Sequence, residues 1–186
     1  MKKDIFIRKA TETDAGSIAH LHAISWKSAY KNILPQEYLD NDVESEKEAY
    51  WTGKMRNLNT NDFVLLMEKT EGEDQENTLI GFVAVCESNE MGYGAIVDNL
   101  HVLPEEKGKK IGLRLLCMAA AELKQQGKDS FYLWVFDQNT AAREFYKKTG
   151  GIPVDKGLYE MRGKKIPETR YGWPTLQGLL EIKERL

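Results

Sequence analysis

The sequence has few of the residues that build disulfide scaffolds or metal sites. Two cysteines, Cys86 and Cys117, stand in 186 residues, both within apolar runs. Their apolar neighbours point to buried free thiols rather than to one disulfide between them. Histidine is nearly as scarce, with only His20, His22 and His101. His20 and His22 are two apart, so on a helix they diverge, and no metal site is expected. No apolar run approaches the roughly 18 residues of a membrane span. The opening MKKDIFIRKATETD has lysines but no continuous apolar stretch behind them. That excludes a secretory signal and makes the cytoplasm the expected compartment. An excess of positive charge is also missing. Lys and Arg number 26 against 29 Asp and Glu, a net charge of −3. Wholesale nucleic-acid binding needs a basic face and is not expected. A local basic pocket for a small anionic cofactor remains compatible with this balance.

The chain is 41% hydrophobic and 30% charged, enough for one domain with a substantial core. Alternation predicts a strand over Asp4–Lys9, and Thr11 offers a helix N-cap. Ile18, Leu21, His22, Ser25 and Trp26 recur at helical spacing up to about Tyr30. A short helix in ILPQEYLD and a charged one over Glu44–Asn57 follow. Asp62–Glu68 and Thr78–Val85 read as strands around a polar hairpin loop, KTEGEDQEN. ESNEMGYG is a second turn. Gly94–Leu103 is a strand, Lys110–Gln126 a helix, Phe131–Phe136 a strand and Thr140–Thr149 a helix. Ile152–Arg162 and Ile166–Trp173 form a last hairpin, and Thr175–Leu186 a final helix. Hairpins surround one parallel crossover, from Gly94 to Phe136. The expected fold is therefore α+β, a mixed and mainly antiparallel sheet flanked by helices. Residues 1–174 form one domain, with 175–186 as an appended helix.

The stretch HVLPEEKGKKIGLRLL carries the chemistry. A strand ends at Pro104, and a helix begins near Gly112 behind Lys107, Gly108, Lys109 and Lys110. A helix start presents free N–H groups and partial positive charge, and so suits a phosphate. The same residues also suit a solvated turn.

DNLHVLPEEKGKKIGLRLL, followed by LWVFDQNTAAREFYKKTGG, resembles the GCN5-related N-acetyltransferase family. IRKATETDAGSIAHLHAISWKSAY is similar to that family's opening strand and helix. The family motif is Arg/Gln-x-x-Gly-x-Gly/Ala. Here Lys107 replaces Arg or Gln, Lys110 stands at a Gly position, and Gly112 matches. The resemblance implies transfer of an acetyl group from acetyl-CoA to a primary amine of a small molecule or protein, by direct attack on the thioester. No metal is implied. Lys107, Gly108, Lys109, Lys110, Ile111 and Gly112 would hold the pyrophosphate. Leu100, His101 and Val102 would lie along the pantetheine arm, with a backbone N–H as oxyanion donor. Asn139 would cap its helix and touch the arm. Tyr146 would protonate the departing thiolate.

Asp98 and His101 are the titratable candidates for the base. They are three apart, so a regular strand turns them to opposite faces and only one reaches the site. A carboxylate in an apolar cleft has its pKa raised and could serve; Asp98 could equally cap a bulge or pair with a lysine. Trp26 and Tyr30, with Tyr38, could line the acceptor pocket or simply pack the core. Glu44, Glu46 and Glu48 could draw in a cationic amine or form a solvated face. The apolar side of Leu176, Leu179, Leu180 and Ile182 could pack on its own domain or make a homodimer. A non-catalytic acyl-CoA-binding module on the same fold is the alternative function.

Overall fold

A computed structural model describes residues 4–71, 76–88, 90 and 92–186. Part of the expected first hairpin loop, 72–75, and positions 89 and 91 of the second turn lie outside the described residues. Seven strands form one sheet in the order β1-β2-β3-β4-β5-β7-β6. They are β1 (Ile5–Lys9), β2 (Phe63–Glu71), β3 (Glu76–Cys86), β4 (Ala95–Val102), β5 (Phe131–Phe136), β6 (Ile152–Met161) and β7 (Lys164–Trp173). The helices are α1 (Ala15–Ala29), α2 (Gln36–Asn41), α3 (Val43–Arg56), α4 (Ile111–Gln125), α5 (Thr140–Lys148) and α6 (Gln177–Lys183). The sheet is antiparallel except between β4 and β5, as expected for a single crossover.

Period-two alternation divides the core between the two faces. On one face Val64, Leu66, Phe82 and Ala84 meet Ile18 and Leu21 of α1 and Trp51 of α3. On the other, Val83, Val85, Leu133 and Tyr171 meet Leu115 and Ala119 of α4. Leu176 and Leu179 are 2% and 1% exposed in this second core, with Leu180 and Ile182 packed against it. The apolar side of α6 is thus covered by its own domain. At the ends of the polar run, Lys69–Glu71 and Glu76–Asn77 are strand: pairing continues to Glu71↔Glu76. Backbone hydrogen bonds outweigh a composition that reads as loop.

Two features of β4 shape the site. First, β4 and β5 pair only at Ala95↔Phe131 and Ile96↔Tyr132 and then separate. Their joined end is tight. A side chain at Gly94 would begin 2.3 Å from the Ser130 carbonyl oxygen, and Gly94 sits at φ +76°. Second, the β3–β4 register shifts between Ala84↔Asn99 and Val85↔Val97, so Asp98 is an extra, bulged residue.

Candidate active site

The loop behind β4 is built as a cradle. The buried carboxylate of Glu106 accepts from Lys69 at 2.7 Å and Lys109 at 3.0 Å. Lys109 is therefore engaged, while Lys107 and Lys110 make no ion pair among the described residues. Lys110 caps α4 in the left-handed region, φ 63°, ψ 10°, without a side-chain hydrogen bond. The helix ladder begins with Arg114 N–H donating to Lys110 C=O at 3.0 Å. The amides before it lack intrahelical partners. Nothing lies within 4 Å of where a side chain at Gly108 would begin. Amides, space and two unpaired lysines fit a pyrophosphate. Ile111 is 2% exposed, so only its backbone can contribute.

The gap beside β4 fits an extended arm. Leu103 N–H donates back to Ile80 C=O at 3.0 Å. In an antiparallel pair successive residues point to alternate neighbours. The backbone groups of Leu100 and Val102 therefore face the gap, and those of His101 face β3. Beyond β5, Asn139 caps α5 by accepting from Ala142 N–H at 3.3 Å; neither it nor Tyr146 lines the cleft described below. Tyr146 lies on α5 with its ring 6.1 Å from Tyr171 and 5.9 Å from Trp173. Burial pushes its phenol well above the usual range, and nearby Tyr30 adds to the rise, so it stays protonated. Burial also pushes Tyr30 up, to about 12.

A cleft of about 440 Å³ is lined by Trp26, Tyr30, Tyr50, Trp134, Phe136 and Tyr159 among its aromatics, and by Glu46, Asp98 and Glu168 among its acids. Trp26 and Tyr30 fall where expected. Tyr38 does not: it is 1% exposed and donates to Glu46 at 2.8 Å, because α2 turns its ring into the core. Of the three expected acids on α3, only Glu46 lines the cleft; Glu44 is exposed and pairs with Lys27, and Glu48 faces solvent. Lys47 lies 3.5 Å over the Trp26 ring and donates to Glu46 at 2.8 Å. Burial lowers its pKa. The Trp26 indole N–H has no acceptor among the described residues.

The bulge overturns the expectation that Asp98 and His101 face apart. The extra residue resets the alternation, and both line the cleft. Neither has the raised basicity expected of a carboxylate in an apolar cleft. Burial pushes Asp98 up, but Lys54 at 2.6 Å and Tyr50 at 2.6 Å outweigh it, and its pKa ends below the usual carboxylate value. Burial first, then the fields of Lys47 and Lys107, brings His101 down to about 3. It is neutral at physiological pH. Its Nδ1 lies 3.0 Å from Ser25 Oγ, and its ring is 4.3 Å from that of His22. Trp51 Nε1 donates to His22 Nδ1 at 2.9 Å, which fixes the His22 proton on Nε2, where no acceptor stands among the described residues.

Lys47, Lys54, His22 and Glu168 were not among the expected site residues. Lys47 and Lys54 lie within a helix that reads as a solvated charged face. Glu168 lies on a strand whose alternation shows only that it points away from the core. The Cys86 thiol, expected buried, is half-buried and accepts from Lys54 at 3.2 Å, whereas Cys117 is buried.

The profile of the acetyltransferase (GNAT) family matches residues 18–151. An N-acetyltransferase of Bacillus subtilis, YuaI, described as uncharacterized, is 29% identical over 97% of this chain and 99% of its own. Spermidine N(1)-acetyltransferase of Thermoplasma acidophilum is 30% identical over 78% of this chain and 87% of its own. The crystal structure of the PaiA N-acetyltransferase of Thermoplasma acidophilum in complex with coenzyme A superposes with a TM-score of 0.66. It is 24% identical and covers 91% of this chain and 99% of its own, which shows a shared fold.

Proposed function

The chain belongs to the acetyltransferase (GNAT) family and is an acetyl-CoA-dependent N-acetyltransferase; we propose that its acceptor is a small aliphatic primary amine. The cleft carries this reading. A volume near 440 Å³ lies in the range of small-molecule sites, and its aromatic walls and carboxylates suit a cationic chain. Spermidine, the substrate in one relative's name, is such a molecule.

Acetyl-CoA supplies an activated thioester, whose carbonyl carbon the amine nitrogen attacks as the C–S bond breaks. Lys107, Lys110 and the amides from Gly108 to Gly112 hold the pyrophosphate. The backbone of Leu100 and Val102 aligns the arm, and an N–H there stabilises the oxyanion. Tyr146 gives its proton to the thiolate. The proton lost by the amine passes to water in the open cleft: His101, brought down to about 3, is too weak a base to hold it, and Asp98 is held by Lys54 and Tyr50 and positions α3 against β4.

Tyr146→Phe tests the assignment. With an amine panel that includes spermidine and lysine analogues, it should lower kcat about 100-fold or more. The unfolding midpoint should stay within a degree or so, because the buried ring remains. A kcat within a factor of two of the parent would remove Tyr146 from the chemistry.

A further inference from the structure

We propose that Glu168 receives a second cationic group of the acceptor, remote from the reacting amine, so that the enzyme selects diamines and longer polyamines over monoamines. The inference rests on the amine-acceptor reading and adds a specificity residue to it.

Three carboxylates line the cleft, and two are neutralised by the protein. Glu46 has Lys47 at 2.8 Å and Asp98 has Lys54 at 2.6 Å. The Glu168 carboxylate has no hydrogen bond and no ion pair among the described residues. The cation beside it is occupied: Arg170 sits 4.3 Å from Tyr93 and 4.5 Å from Trp134, and pairs with Glu90 at 2.5 Å. The protein thus leaves one cleft carboxylate partly desolvated and unpaired. Burial raises its pKa, as does Asp137, against the field of Arg170. Such a group is costly unless a cation joins it.

The surroundings keep the carboxylate open. A side chain at Gly157 would begin 3.0 Å from Glu168 Oε1 and 2.9 Å from the Trp134 ring. Glycine there preserves a space between carboxylate and indole. Tyr159 lines the cleft with Glu168 of β7 and Glu46 of α3. An aromatic wall and a free carboxylate together match an alkylammonium ion.

The position separates this group from the chemistry. Glu168 pairs across the ladder with Phe136 of β5, and β5 lies between it and β4. One strand spacing and the gap opened by the β4–β5 splay put it roughly 10 Å or more from β4, within reach of a diamine extended from the reacting centre.

The test compares diaminobutane with butylamine in the full-length protein. Parent enzyme should prefer the diamine in kcat/KM. Glu168→Gln should reduce that preference about 10- to 100-fold, mainly through KM, and Glu168→Asp should restore part of it. Tetramethyldiaminobutane, which lacks an acetylatable N–H, gives a readout without turnover. Titrated by calorimetry into the CoA-saturated protein, it should bind more weakly to Glu168→Gln. Equal use of both amines by the parent would overturn the proposal and leave the amine reading intact. So would a preference unchanged in Glu168→Gln. An equal fall in kcat for both amines would make Glu168 part of the chemistry, against the proposal. A protein that binds acetyl-CoA but acetylates no amine in the panel would remove the amine reading itself, and the proposal with it.

Discussion

Lys110 holds the left-handed conformation at the start of α4, where the proposed cradle would use its charge. A non-glycine residue at φ 63° costs about 1–2 kcal/mol relative to glycine, which explains why the family motif has Gly at this place. The lysine gives back a charge at the mouth of the cradle. Lys110→Gly should therefore raise stability by about 1 kcal/mol in urea melts. It should also weaken acetyl-CoA binding several-fold at low salt, a difference that shrinks as salt screens it. Tighter binding at all salt concentrations would mean the side chain obstructs the cradle. Asp98 yields a second expectation. Its pKa is lowered in the folded state, so its ion pair stabilises above the unfolded carboxylate value and is lost as pH falls through the folded one. Asp98→Asn should be less stable than the parent at pH 7, with the gap closing below about pH 4. On the proposed reading, in which Asp98 positions α3 and takes no proton, the acidic limb of its pH–rate profile should not move. A shifted limb would reinstate it.

At the scale of elements, most of the fold was readable. Apolar spacing marked α1, α4 and the strands, because burial on one face imposes periods of 3.6 or two. Gly127, at φ +74°, stops α4 where the sequence suggested. The bulge at Asp98 was not readable, since a register shift is a relation between two strands. The Lys54–Asp98 pair spans 44 positions and could not be seen for the same reason. Glu168 escaped because a strand shows which way a residue points, not what faces it. The C-terminal helix had two readings, and packing selects one. Leu179 is 1% exposed within the main core, so Leu179→Ala should cost about 2–5 kcal/mol in chemical denaturation. Its oligomeric state in ultracentrifugation should match the parent. A change of state with little loss of stability would return α6 to a docking role.

Across the whole molecule, buried histidines set the response to acid. His101 is held down to about 3, and His22 further still, both by burial first. Once unfolded, each regains a value near 6.5 and binds a proton that the folded protein refuses. Depressed values stabilise above the unfolded pKa, and that stability is lost as pH falls. Unfolding free energy should decline from about pH 6.5, steepening toward roughly 1.4 kcal/mol per pH unit for each histidine. Urea melts at pH 7, 6 and 5 check this; a flat profile would mean that water reaches both rings. The joined end of β4 and β5 has a mechanical consequence as well. With Gly94 against Ser130 and only two residue pairs beyond it, the two strands are clamped at one end and splay from there. A methyl at position 94 would meet the Ser130 carbonyl oxygen and force that clamp to shift. The gap proposed for the donor's arm thus begins at a junction that closes only because glycine has no side chain.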